Sequence, residues 1–211
     1  MVQPADWNNF RVDQISWPTF AKRNLIHWDL IRETVRRAAG SALEVGVGSG
    51  AQSALISRWV PHTVTVDNDA RIMKAALPNL ERFGPRTRVV GADAFRLPFA
   101  DQSFGVSLSQ GLMEHFSDEQ IHGLVREQLR VCRSVVFSVP SDRYPRQDVG
   151  NERLMTPAQW AAIIGGVADA SRYTVRARYY RGDLEALKYS ILARKALGSF
   201  SVLVTIDRKR G

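Results

Sequence analysis

Residues 43–50 read LEVGVGSG. Gly46, Gly48 and Gly50 alternate with other residues behind the acid Glu44. Glycine lets a chain turn sharply and approach a ligand closely. Two further acids follow at intervals. Asp67 closes the β-branched stretch HTVTVD, and Asp93 stands in GADAFRLPF. An acid at the end of a second strand can accept ribose hydroxyls. One at the end of a third can accept from an exocyclic adenine amine. Together these residue types suit an adenosine-bearing ligand. A P-loop is excluded, because no Gly-Lys-Ser/Thr follows the glycines. Gly46, Gly48 and Ala51 also fit the dinucleotide pattern G-x-G-x-x-G/A. Glu44 counts against that reading, since a carboxylate repels a pyrophosphate and attracts an ammonium or sulfonium.

These residues must be placed by something, and the hydrophobic pattern supplies it. Strands are expected at 42–46, 64–67, 87–91, 104–109, 134–139, 173–181 and 200–207. Helices are expected at 51–59, 69–83 (disturbed at Pro78), 117–131, 156–164 and 183–196. A single helix should run from near Pro18 to Gly40. Ser117 with Gln120, and Thr156 with Gln159, read as capping boxes, the second with Pro157 at the first helical turn. Alternating strands and helices imply an α/β fold: a three-layer, mostly parallel seven-stranded sheet with an antiparallel last strand. In such sheets ligands bind beyond the carboxyl ends of the strands. The glycine loop, Asp67, Asp93 and the residues after Ser109 all fall there.

Taken in order, LEVGVGSG, VTVDND, VVGADAFRLPFADQSF and VSLSQGLMEHF resemble the successive motifs of class I S-adenosylmethionine-dependent methyltransferases. The likeness spans residues 41–140, and VVFSVPS is similar to that family's fifth strand. The subgroup carrying GLxEHF and GxERLxxxxxW is the nearest, here GLMEHF and GNERLMTPAQW. The resemblance implies a Rossmann-like fold, S-adenosylmethionine as cofactor and S-adenosylhomocysteine as product. By it, Glu44, Gly46, Gly48 and Gly50 cradle the methionine end. Asp67 binds ribose with Asn68 beside it, Asp93 and Ala94 contact adenine, and Ser109 and Gln110 lie beneath the sulfonium. Asn68 also has the simpler reading of a helix cap.

Methyl transfer needs alignment more than proton chemistry, so a general base is not obligatory. His115 is the candidate base, with Glu114 beside it; the plainer role for both is to hold the loop. Some similar enzymes that make quinones bind a divalent metal through Glu-x-x-Glu-His. Here Gly111 replaces the first carboxylate, and no metal is expected. No Asp/Asn-Pro-Pro-Tyr/Phe motif occurs, which argues against adenine and glutamine-amide methylation. Cys132 reads as a buried small residue.

Acceptor specificity should come from outside the shared core. One domain is expected over 1–211: an N-terminal helical lid (1–40), a cofactor core (41–140) and a substrate-side half (141–211). Trp7, Phe10 and Trp17 can cover an acceptor, whereas Phe20 and Trp28 are expected to pack the helix onto the sheet. Arg143, Tyr144, Arg146 and Arg153 can receive an anionic group, and Tyr179 or Tyr180 should point inward. A small-molecule acceptor, methylated on oxygen or nitrogen, is the favoured reading. RNA or protein is the alternative, and a nicotinamide oxidoreductase comes behind both.

The net charge of +8 is uneven: +2 over residues 1–40, zero over 41–140 and +6 over 141–211. Such a bias can draw an anionic partner, or merely solvate a face. No apolar run is long enough to span a bilayer. One cysteine allows no internal disulfide, and the N-terminus lacks a basic start followed by an apolar block. A cytoplasmic protein is expected.

Overall fold

The computed structural model describes residues 12–145, 151–180 and 200–209. Seven strands are present: β1 (Ser41–Val45), β2 (His62–Asp67), β3 (Arg88–Gly91), β4 (Phe104–Gln110), β5 (Cys132–Pro140), β6 (Tyr173–Tyr180) and β7 (Ser201–Arg208). They form one sheet in the order β3-β2-β1-β4-β5-β7-β6. Only β7 runs antiparallel to its neighbours; β6 pairs antiparallel with β7 and so shares the common direction. The order reverses between β1 and β4, where a parallel sheet opens its crevice.

Among the described residues six helices cover the sheet: α1 (Trp17–Ile26), α2 (Trp28–Arg37), α3 (Ala51–Ile56), α4 (Ala70–Phe83), α5 (Asp118–Val131) and α6 (Pro157–Gly165). Alternation along the strands divides the core. Ala42, Val106, Leu108, Val136 and Leu203 pack with Leu30 and Ile31 of α2 and Ile56 of α3. On the opposite face Val135, Phe137, Val139 and Val204 pack with Leu124 of α5 and Trp160 of α6. Both capping boxes form as the sequence predicts.

Three local expectations change. The single N-terminal helix is two helices, broken at His27, whose φ of −98° and ψ of 23° leave the helical region. The imidazole Nδ1 lies 3.0 Å from the hydroxyl of Tyr180, which also bonds Ser138 Oγ. The break thus secures α1 and α2 to β5 and β6. Pro78 does not interrupt α4, which is continuous from Ala70 to Phe83. Phe20 packs as expected, stacked on Phe83 at 4.3 Å between centroids. Trp28 does not: it is 45% exposed and meets Trp59 edge-on. The expected helix at 183–196, and Trp7, Phe10 and Arg146, lie outside the described residues.

The end of α2 rides directly on β4. A Cβ at Gly105 would stand 1.9 Å from the carbonyl oxygen of Ala38, so only glycine fits there. Gly105→Ala is expected to lower stability by about 2–4 kcal/mol in denaturant unfolding. Gly165→Ala, at the end of α6 where a Cβ meets nothing within 4 Å, should leave it unchanged or slightly raised.

Candidate active site

The glycine loop leaves β1 at the switch point and enters α3. Gly46, Gly48 and Gly50 all have positive φ (85°, 47° and 73°), a conformation costly for other residues. Their surroundings differ. A Cβ on Gly50 would strike Leu80 of α4 at 2.8 Å, whereas one on Gly48 meets nothing within 4 Å. The Gly50 end is closed by packing, and the backbone at Gly48 is open to approach by a ligand. Asn79 of α4, buried, joins the N-terminal segment to this loop: Nδ2 donates to Ser49 O (3.1 Å) and Asp13 O (3.0 Å), and Oδ1 accepts from Ile15 N (2.9 Å). Trp17 is half exposed, its ring edge-on to Phe83 at 4.7 Å.

Glu44 lies behind the loop, 2% exposed. Its Oε2 accepts from Ser53 Oγ of α3 and from Thr65 Oγ1 of β2 at 3.2 Å. Burial pushes its pKa up to about 7, with the Asp67 charge adding and the hydroxyl bonds opposing. The full negative charge expected at this position is therefore weakened, and Glu44 acts first on the loop's supports. Asp67, half-buried, accepts from Val47 N (3.1 Å) through Oδ2 and from Asp69 N (3.0 Å) through Oδ1. Burial raises its pKa, partly offset by these amides. A carboxylate oxygen has more than one acceptor site, so capacity for hydroxyl donors remains. Asn68 is exposed and is not the helix cap; Asp69 caps α4, accepting from Arg71 N at 2.8 Å.

Asp93 is exposed, in a tight turn where Oδ1 accepts from Phe95 N at 2.9 Å. Ala94 is half-buried, and Phe95 beside it is 40% exposed with its ring edge-on to Phe116. Sequence reasoning passed over Phe95, although it sits inside GADAFR. At the end of β4, Gln110 is exposed and Ser109 is buried. The Ser109 hydroxyl has no hydrogen-bond partner, a costly condition for a buried polar group.

Met113–His115 form a 3₁₀ turn beyond β4. Glu114 is 2% exposed, and its Oε2 finds no hydrogen bond. Burial pushes its pKa to about 8, and nearby Glu152 adds to the rise. At pH 7 most of it is the neutral acid. His115 is 5% exposed, with Nδ1 2.7 Å from Asn151 Oδ1. The two similar-family segments interlock at this point. Arg153 N donates to Glu114 O (3.0 Å), and its guanidinium donates to Phe116 O (2.9 Å) and Asp118 (2.6 Å). This corrects the expectation for Arg153: it is an internal clamp already occupied by these acceptors. Asn151 was not singled out from the sequence, though it adjoins ERL in the quoted motif.

Arg143, Tyr144 and Tyr179 lie at the same edge, after β5 and at the end of β6. The exposed Arg143 guanidinium sits 3.8 Å from the Tyr179 ring centroid, and the Tyr179 hydroxyl donates to Asp142 at 2.8 Å. Tyr144 N donates to Ser141 O, and its side chain is half-buried. Tyr180 is buried and Tyr179 only partly so, as alternation requires. Cys132 is buried and its thiol is pushed up to about 12, mainly by burial.

Comparison with known proteins bears on this edge. Residues 42–134 match the family described as Methyltransferase domain. A demethylmenaquinone methyltransferase of Roseiflexus sp. (strain RS-1) is 34% identical over 98 residues, 46% of this chain and 40% of that protein. The chain thus aligns with well under half the length of that relative. An uncharacterized methyltransferase of Mycobacterium sp. (strain KMS) is 28% identical, aligned over 81% of this chain and 79% of its own length. The PH0226 protein of Pyrococcus horikoshii OT3 superposes with a TM-score of 0.70 at 15% identity, covering 96% of this chain and 98% of that one. Residues 42–134 are thus similar to a methyltransferase domain, and the chain shares the fold of the Pyrococcus horikoshii protein over nearly its whole length.

Proposed function

We propose that this protein transfers the methyl group of S-adenosylmethionine to a small-molecule acceptor, on oxygen or nitrogen, leaving S-adenosylhomocysteine. The observation that carries the reading is the meeting of an open glycine backbone at Gly48, the Asp67 carboxylate and the unpartnered Ser109 hydroxyl at one sheet edge. These features fit the cofactor. When bound, it supplies an electrophilic methyl group on a sulfonium.

The chain's residues hold and orient. Gly46, Gly48 and Gly50 give the backbone on which the methionine end rests, and Glu44 keeps that backbone in place through Ser53 and Thr65. Asp67 receives the ribose hydroxyls at the lone pairs its amide donors leave over. Asn68 stands beside it. Asp93 and Ala94 meet the adenine, with Phe95 as an added aromatic wall. Ser109 and Gln110 line the floor at the end of β4. His115 and Glu114 are walled in, and Glu114 is largely protonated at neutral pH, so both are assigned positioning roles. Alignment of the acceptor then supplies most of the rate. Trp17 and the stacked pair Arg143 and Tyr179 with Tyr144 form the acceptor side, where Arg143 suits an anionic group. A cytoplasmic setting accords with this reading.

Four measurements follow from it. S-adenosylhomocysteine should raise the melting temperature by several degrees while NAD leaves it unmoved; equal shifts would contradict the cofactor. Asp67→Ala should weaken S-adenosylhomocysteine binding by about 10- to 100-fold, the worth of one or two charge-assisted hydrogen bonds, in calorimetric titration.

For Glu114 the sign follows from its raised pKa. The folded state keeps the proton that the unfolded state loses between pH 4.5 and about 8, so the acid costs stability progressively as pH rises through that window. The stability of Glu114→Gln relative to wild type should therefore climb across the same window by a few kcal/mol, on the order set by about 1.4 kcal/mol per pKa unit. A flat difference would mean that Glu114 ionises normally. For the acceptor, labelled cofactor incubated with cell extract should place label in the small-molecule fraction. Label in RNA or protein alone would overturn that part of the reading.

A further inference from the structure

The sheet has a second edge, at the amino ends of β4 and β5 and the carboxyl end of β7. It lies roughly 25 Å from the glycine loop, the length of a strand the size of β5 at about 3.3 Å per residue. A groove of about 750 Å³ runs there between the end of α2 and the strand ends, lined in part by Arg36, Arg133, Arg208 and Lys209. A smaller hollow of about 260 Å³ adjoins it, sharing Arg208 and adding Arg126 and Arg172. All six of these cations are exposed.

The acids nearby are already engaged. Asp207 is held by Arg37 through paired bonds of 2.6 and 2.8 Å. Glu33 is held by Arg36 and Arg37, and Glu127 and Asp101 by Arg130. Asp169, in the wall of the hollow, accepts from Ser171 and feels the charges of Arg172 and Lys209. Among the described residues, Arg126, Arg133, Arg172 and Arg208 have no carboxylate within ion-pair distance. The hollow also holds an aromatic ring, Tyr173, flanked by Arg172 and Arg208, each 5.9 Å from its centroid.

We propose that this edge docks single-stranded nucleic acid, apart from the site of methyl transfer. Unpaired guanidiniums along a concave groove suit a phosphate backbone, and an aromatic ring among them suits a stacked base. A bilayer surface fits less well. Among the described residues, none of the exposed large apolar side chains (Trp17, Leu25, Trp28, Trp59, Leu77 and Phe95) lines the groove or the hollow, so none is placed there to insert. The proposal does not depend on the acceptor or on the cofactor.

The test is fluorescence anisotropy with a short labelled single-stranded RNA across a salt series. Anionic phosphatidylglycerol vesicles and a poly-glutamate peptide serve as competitors. Wild type should bind, with log affinity falling linearly with log salt. Arg133→Glu with Arg208→Glu should weaken binding more than tenfold and flatten the salt slope by about 1 to 2, since each lost phosphate contact removes about 0.7. Arg126→Glu with Lys209→Glu should do the same, which keeps the test open if the first pair fails to fold. Arg23→Glu with Arg32→Glu makes the same charge change on α1 and α2, away from the groove, and should cost less than threefold. Equal losses in groove and control variants would overturn the proposal, marking a merely solvated basic face. So would absence of RNA binding at low salt, or complete displacement of RNA by vesicles or peptide at matched charge.

Discussion

The carboxyl of Glu44 is the fixed point from which the glycine loop hangs. It sits next to last on β1, just before the switch point, buried, and gathers hydroxyls from α3 on one side and β2 on the other. Burying a carboxyl is costly, and its raised pKa records that cost. The bonds from Ser53 and Thr65 offset part of it. In return β1, β2 and α3 are held at one point, and the loop between β1 and α3 has both ends fixed. Asp67 repeats the device one strand over by taking the Val47 amide. The loop is thus shaped before any ligand arrives, which is what orientation-driven chemistry requires.

The other half of the edge is built by interlock. GLMEHF and NER are far apart in the chain, yet they share one set of bonds: Asn151 with His115, and Arg153 with Glu114 and Phe116. Leu112, from the same turn, reaches toward Gly46. The distal segment is therefore bonded to the turn that packs against the glycine loop. The N-terminal helices are tied in separately, through Asn79 at the loop and through His27 and Tyr180 at the far strands. Burial and the charge of Arg23 push His27 down to about 4, so this last tie is made by a neutral imidazole at physiological pH.

Much of this was legible in the residues. A mostly parallel sheet with helical crossovers follows from alternating elements and short apolar runs such as SVVFSV, and both capping boxes formed at the residues that signalled them. The glycines and acids fell on one edge because strand ends share it. What the chain did not disclose was which way side chains turn. Glu44 reads as a charge facing a ligand, but Thr65 and Ser53, which turn it inward, carry no signal of their own. Arg153 reads as an open cation until its two carbonyl and carboxylate partners are seen. The helix break at His27 was hidden because the apolar spacing of Leu25, Trp28 and Ile31 continues across it. Trp28 kept that spacing and still faces solvent, since two short helices turn differently from one long one.

The central claim is that the cofactor binds on the loop that Glu44 and Asp67 suspend. The most direct measurement is amide chemical-shift perturbation by nuclear magnetic resonance as S-adenosylhomocysteine is titrated into the protein. The account predicts the largest shifts at Gly46, Gly48, Gly50, Asn68, Ala94 and Gln110, with those at Arg133 and Arg208 near zero. Shifts concentrated at the opposite edge, or spread evenly with the glycine loop unmoved, would contradict it.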